Sequence, residues 1–164
     1  MNRTDSGFSL VELLVVMIIA ATLASIALPS FLSQASKAKE VEAKQTIGAM
    51  NRASQAYYSE RSYFTDDISN LGLGINPQSA NYSYSLQLSD EPMGAKSIAE
   101  PSNPQTLRAY VGGVQPILTA QDEVTTTSAI CQSERPAKAS PDAVQFSSEA
   151  EATGVVCGEG YEGL

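Results

Sequence analysis

Histidine is absent from the sequence, and cysteine occurs only twice, at Cys131 and Cys157. Without histidine, neither a Ser-His-Asp nor a Cys-His relay can be assembled, and imidazole ligation of a metal is excluded. Two widely spaced cysteines do not supply the four ligands of a zinc site. A phosphate-cradling Gly-Lys-Ser/Thr loop is also missing. Leu71-Gly72-Leu73-Gly74 is half a glycine fingerprint and reads as a coincidence within a loop. Asp66-Asp67 and Asp90-Glu91 offer hard oxygen ligands for calcium in principle, but solvated loop carboxylates are the simpler reading. No enzyme activity, cofactor or metal is therefore expected. Positive charge is scarce: 10 Lys and Arg stand against 18 Asp and Glu, a formal net charge of −8. The basic residues form no cluster in the C-terminal two-thirds, so direct nucleic-acid binding, which needs dense phosphate contacts, is not expected. An acidic surface of this kind keeps an exported protein soluble.

What the sequence does have is one long apolar run. No charged residue lies between Leu13 and Ser36. As a helix, Phe8 to Leu28 would span roughly 31 Å, close to the hydrocarbon thickness of a bilayer. Leu13 to Ala21 is apolar on every side, which suits lipid or the centre of an assembly. A cleaved secretory signal competes with this reading, since Ala24-Ser25-Ile26-Ala27 loosely resembles a small-residue cleavage site. Against it, the run passes without a break into a helical pattern, and a carboxylate, Glu12, lies within its first turns. An acid inside a membrane span costs about 2.5–3.5 kcal/mol at the centre and less near the interface. Positions 8, 9, 15 and 16 are Phe, Ser, Val and Val, so no cation lies one helical turn away. Either the partner of Glu12 comes from elsewhere, or Glu12 sits among the headgroups. Pro29 removes a backbone hydrogen bond, so a kink or loosened turn is expected over Ala24 to Pro29; a plain end to the membrane helix is the alternative.

The stretch Gly7-Phe8-Ser9-Leu10-Val11-Glu12-Leu13-Leu14-Val15-Val16 resembles the prepilin processing motif of type IV pilins and type II secretion pseudopilins. The resemblance is strong over about Ser6 to Lys44 and general beyond it. It implies cleavage between Gly7 and Phe8 by a cytoplasm-facing prepilin peptidase, followed by N-methylation of Phe8. It further implies an assembly charge pair between Glu12 and the Phe8 α-amine of a neighbouring subunit. In a low-dielectric core such a pair is strong, and truncating one partner strands the other. Counting Arg3 against Lys37, Lys39 and Lys44 alone would place the N-terminus outside. The resemblance places it in the cytoplasm, because the motif needs its peptidase there. Tyr110-Val111-Gly112-Gly113 and Ile130-Cys131-Gln132-Ser133-Glu134 also look like stretches of cyanobacterial pilins.

From Ser30 to about Arg61 the chain is rich in strong helix formers. Ala35, Ala38, Ile47, Met50, Ala53 and Tyr57 fall roughly along one face. Glu40 and Lys44 have the spacing of a helical ion pair. A loop follows through Gly74. Asn81 to Leu88 alternates polar and apolar residues and reads as a strand. Asp90 to Gly94 is a turn. Leu107 to Val111 is a second strand stopped by Gly112-Gly113, and Val124 to Cys131 is a third. A fourth is expected at Val144–Ser147 or Val155–Cys157. Asn81-Tyr82-Ser83 fits a glycosylation sequon, but chance matches are common. Two cysteines in an exported chain read as one disulfide, with two free buried thiols as the alternative. Closing this loop would stabilise the fold by roughly 3.5 kcal/mol.

The expected class is α+β, the pilin fold: a long N-terminal helical spine, half transmembrane, packed on a small antiparallel β-sheet with a disulfide-bounded C-terminal region. The expected organisation is a leader at 1–7, a transmembrane or filament-core helix at 8–29, a helix packed on the head at 30–61, and a loop plus sheet at 62–164. The resemblance implies a structural subunit of an extracellular type IV pilus serving adhesion and twitching motility, with DNA uptake a further role. Its partners would be copies of itself in a helical filament, the peptidase and the inner-membrane assembly machinery. The chain would cross the cytoplasmic membrane once before assembly and be extracellular afterwards. A minor pilin, a type II secretion pseudopilin and a membrane-anchored adhesin that never polymerises are the competing readings.

Overall fold

The computed structural model describes residues 8–89, 93–119, 123–147 and 154–164. The leader Met1–Gly7 and the Asp90–Pro92 part of the expected turn lie outside these residues. The element order is one long helix, α1 (Leu10–Arg61), then β1 (Tyr82–Ser89), β2 (Gly94–Pro101), β3 (Tyr110–Leu118), β4 (Val124–Ser133), β5 (Val144–Phe146), β6 (Val155–Cys157) and β7 (Tyr161–Gly163). The chain divides into two compact units, Met1–Lys37 and Ala38–Leu164.

In the first unit α1 is apolar all round. Leu10 to Leu32 is exposed throughout, and no residue of its most apolar stretch is buried within the chain. Pro29 lies inside α1, and helical backbone continues on both sides of it. The helix itself therefore does not end at Pro29. A proline costs its own backbone bond but does not stop a helix whose neighbouring turns remain bonded.

In the second unit, the head, α1 becomes amphipathic. Ala43, Ile47, Met50, Asn51, Ser54 and Tyr57 are buried. Their spacing of three or four residues is a single helical face. It shares Ile47, Met50 and Tyr57 with the face read from sequence. Ala35 and Ala53 are only half-buried and Ala38 is exposed. The missed positions are Ala43, Asn51 and Ser54; the last two are polar residues that no hydrophobic pattern selects.

Five strands form an antiparallel sheet in the order β1-β2-β3-β4-β7, and β5 and β6 form a separate antiparallel pair. Alternate side chains of the sheet point to opposite faces. On one face Tyr82, Tyr84, Leu86, Ala99 and Tyr110 pack with Ala43, Ile47 and Met50 of α1. On the other, Ile98, Val111 and Cys131 pack with Ala143, Val144 and Val155. The head is thus three layers: helix, sheet and the β5–β6 ribbon. The disulfide Cys131–Cys157 joins β4 to β6, with a Cα–Cα distance of 5.6 Å inside the usual range.

Three expectations need correction. β2 was not foreseen, because Gly94-Ala95-Lys96-Ser97 lacks the β-branched and aromatic residues that announce a strand. Gly112-Gly113 does not stop a strand but lies in the middle of β3. Val144–Phe146 and Val155–Cys157 are not alternatives for a fourth strand; they pair with each other.

Candidate functional site

The N-terminal segment is built around Phe8, Ser9 and Glu12. Ser9 precedes α1, and its carbonyl accepts the first helical bond, from Leu13 N at 3.2 Å. Glu12, three residues on, turns its carboxylate back and accepts the Ser9 backbone N–H at 2.9 Å. This is half of a capping box, in which an acid at the third helical position satisfies an otherwise orphaned donor and faces the positive end of the helix. Reading the sequence for a cation one turn away missed this partner. The Ser-x-x-Glu spacing before an apolar run was the signal that could have found it. Phe8 is 78% exposed at the very start of the described helix region. Gly7, the other half of the expected cleavage site, lies outside the described residues. Deeper in the apolar stretch, Thr22 satisfies its own hydroxyl by donating to Ile19 O at 2.8 Å, the usual way a hydroxyl is carried on an apolar helix.

At the helix-entry end of the head, two helix carboxylates tie α1 to the sheet. Glu40 accepts from Arg108 N at 3.2 Å and from the Tyr110 hydroxyl at 3.3 Å. Glu42 accepts from Asn81 Nδ2 at 3.0 Å and from the Tyr84 hydroxyl at 3.3 Å. Lys44 lies over the Tyr110 ring, 5.6 Å from its centroid. Glu40 and Lys44, which the spacing suggested as an ion pair, both address Tyr110. Hydrogen bonds from Ser79 and Asn81 hold the Glu42 carboxyl below its ordinary pKa, against an opposing effect of burial. Burial pushes the Tyr110 and Tyr82 phenols up, and the nearby Glu40 charge adds to this. Asn81 is the sequon asparagine, and its amide is occupied by Glu42.

The expected loop carboxylates also have local uses. Asp67 Oδ1 accepts from Ser69 N at 2.9 Å and from Ser69 Oγ at 2.7 Å, which caps the short 3-10 turn Ile68–Leu71. Among the described residues no three His, Cys, Asp or Glu side chains are grouped to hold a metal ion. Gly72, from the half-fingerprint, closes the same turn in the left-handed region at φ 66°. Cys131 and Cys157 are joined, so the free-thiol alternative is excluded.

The comparisons with known proteins bear on both units. Residues 40–158 match the family described as type IV pilin-like G and H. Residues 2–28 match the prokaryotic N-terminal methylation motif. The type IV major pilin protein PilA of Myxococcus xanthus is 33% identical over 84 residues. That alignment covers 51% of this chain and 37% of the relative, so the chain spans little more than a third of that protein's length. No solved structure matches. An apolar N-terminal helix behind a methylation motif, a helix-backed antiparallel sheet and a matched family over most of the head lead to one conclusion: the chain belongs to the type IV pilin-like G and H family.

Proposed function

We propose that this chain is the structural subunit of an extracellular type IV pilus. The reading is carried by the register of Phe8 and Glu12 at the mouth of a wholly exposed apolar helix. A prepilin peptidase on the cytoplasmic side cuts between Gly7 and Phe8, and Phe8 is then N-methylated. Until assembly the chain crosses the inner membrane once, by the segment 8–29. Glu12 lies in the first helical turn, next to the amine that cleavage creates. When the helices gather in a low-dielectric fibre core, its carboxylate exchanges the Ser9 amide for the Phe8 amine of a neighbour. A full charge replaces a neutral donor, and each exposed apolar helix is covered by others. Pro29 marks where the helix yields during this packing. Adhesion and twitching motility are the uses such a fibre serves, and DNA uptake extends them. The M. xanthus relative, named a major pilin, supports the abundant-subunit form of the reading.

The test is mass spectrometry of fibres sheared from the cell surface. N-methylated Phe8 as the first residue is the expected result, and Glu12→Ala should remove the chain from fibres while leaving it in the membrane. A mature chain beginning after Ala27 overturns the reading. Function retained in full by Glu12→Ala, in cells whose sheared fibres lack the chain, favours a membrane-anchored adhesin that never polymerises. Absence from fibres together with blocked protein export on deletion favours the secretion pseudopilin.

A further inference from the structure

The head is acidic, yet its few cations are not used alike. Beyond Arg61 the sequence holds only Lys96, Arg108, Arg135 and Lys138 as basic residues. Lys96 donates to Pro141 O at 2.8 Å and lies 5.4 Å from the Phe146 ring centroid. Arg108 pairs with Glu162 at 3.2 Å. Arg135 and Lys138 have no side-chain partner among the described residues, and both are exposed. They share one short loop after β4, whose backbone is tied down. Ser133 Oγ donates to Arg135 O at 2.6 Å, Glu134 N to Gly160 O at 3.1 Å and the Tyr161 hydroxyl to Lys138 O at 3.3 Å. Pro136 biases Arg135 toward an extended backbone. The loop bends at Glu134–Pro136 and presents its two cations on a backbone held in place by its own head.

A surface of opposite character lies at the outer edge of β1. An open groove of about 380 Å³ is lined by Asp66, Asp67 and Ile68 of the loop after α1, by Pro77, and by Tyr84, Ser85 and Leu86 of β1. The first part of the β1 edge is closed by its own chain, through Tyr84 N to Pro77 O at 2.7 Å and Ser79 N to Tyr82 O at 2.8 Å. Those bonds show that the even-numbered residues of β1 face away from β2. The same alternation turns the N–H and C=O of Leu86 and Leu88 outward, where they have no backbone partner among the described residues. A free strand edge beside a groove accepts an extended segment, with main-chain bonds for affinity and side chains for selection. Asp66 and Asp67 select for positive charge.

We propose that a second copy of this chain fills the groove, laying its Arg135–Lys138 loop along the β1 edge with its two cations against Asp66 and Asp67. The groove and the loop are different surfaces, so the contact is heterologous, the kind that repeats from copy to copy and builds an open helix when its rotation does not close a ring. It also answers a problem of charge. Heads of net negative charge repel one another, and this pairing sets the two free cations of one head against two acids of the next. The inference rests on the pilus-subunit reading.

Two measurements on full-length chain in its own cells test it. Sheared wild-type fibres are treated with a zero-length carbodiimide, and the dimer band is digested and sequenced by mass spectrometry. An amide between Lys138 and Asp66 or Asp67 is expected. In parallel, Arg135→Glu with Lys138→Glu should lower fibre yield at least three-fold, with the membrane pool and its disulfide unchanged. Adding Asp66→Lys should recover much of that loss. Dimer bands without this crosslink, a groove crosslinked to a different protein, or wild-type fibre yield from the double reversal each overturn the contact and leave the pilus reading standing. Wild-type cells whose fibres lack the chain overturn both.

Discussion

At the scale of single residues, the head is organised by two adjacent glycines. A Cβ on Gly112 would lie 2.7 Å from Ile47 Cγ2 of α1 and would strike the Asn51 side chain as well. A Cβ on Gly113, pointing the other way, would strike Val144 and lie 2.9 Å from Val155 Cγ1. One glycine lets the helix reach the sheet, and the next lets the β5–β6 ribbon reach it. Either collision is with buried side chains that have little room to retreat, and overpacking of this kind costs about 1–3 kcal/mol. Gly112→Ala and Gly113→Ala should each lower the thermal midpoint of the head by several degrees, whereas Gly72→Ala, with open space around it, should cost only its left-handed backbone strain. Circular-dichroism melts of the three variants check this, and equal midpoints for Gly112→Ala and wild type would show that the helix can back away.

At the scale of elements, α1 is bound to the sheet by polar contacts as well as by its apolar face. Glu42 is the clearest, reaching Asn81 beside β1 and Tyr84 within it. Its carboxyl is held below the ordinary value, so the folded head binds fewer protons there than the unfolded chain. The stabilisation is therefore complete above the unfolded pKa of about 4.3 and is lost as pH falls through the lower folded value. Glu42→Gln should flatten the acid limb of the stability curve below about pH 4.3 and change little near neutrality. Denaturant midpoints measured from pH 3 to 7 decide it; parallel acid limbs in variant and wild type exclude Glu42 as a contributor. The same contacts mark what could be read from the sequence. The apolar period of 3.6 found the helix face through Ile47, Met50 and Tyr57, and the period of two found β1. Neither period could find β2, whose buried residues include the small Gly94, Ala95, Ser97 and Ala99, or β3 beyond Gly112. In both, small side chains are chosen because another layer comes close, and that layer is remote in sequence. The N-terminal site was the most legible part, because its chemistry is local: Phe8, Ser9 and Glu12 lie within one helical turn. Even there, a search for charge alone overlooked the Ser9 amide.

At the scale of the whole molecule, the two units divide the hydrophobic residues between two different uses. Among the described residues, every buried core residue lies at or beyond Ala43, whereas Leu10 to Leu32 exposes its large apolar side chains. Exposed surface of that extent is far more than a soluble monomer carries and must be covered by lipid or by other copies. The head, by contrast, has three closed layers and a covalent tie between β4 and β6. A chain of residues 30–164 exported to an oxidising compartment should therefore be folded, soluble and monomeric, while a chain that begins at Phe8 and keeps the apolar helix should need detergent. Reduction should cost the truncated head about 3.5 kcal/mol, the loop entropy released to its unfolded state. Sedimentation velocity gives the oligomeric state, and denaturant melts with and without reductant give the difference. A truncated head that aggregates without a cooperative transition would mean that the apolar helix completes the core, and the division of labour between the units would be wrong. A folded head that still polymerised would place the driving force of assembly in head contacts instead of in the helix that carries Glu12.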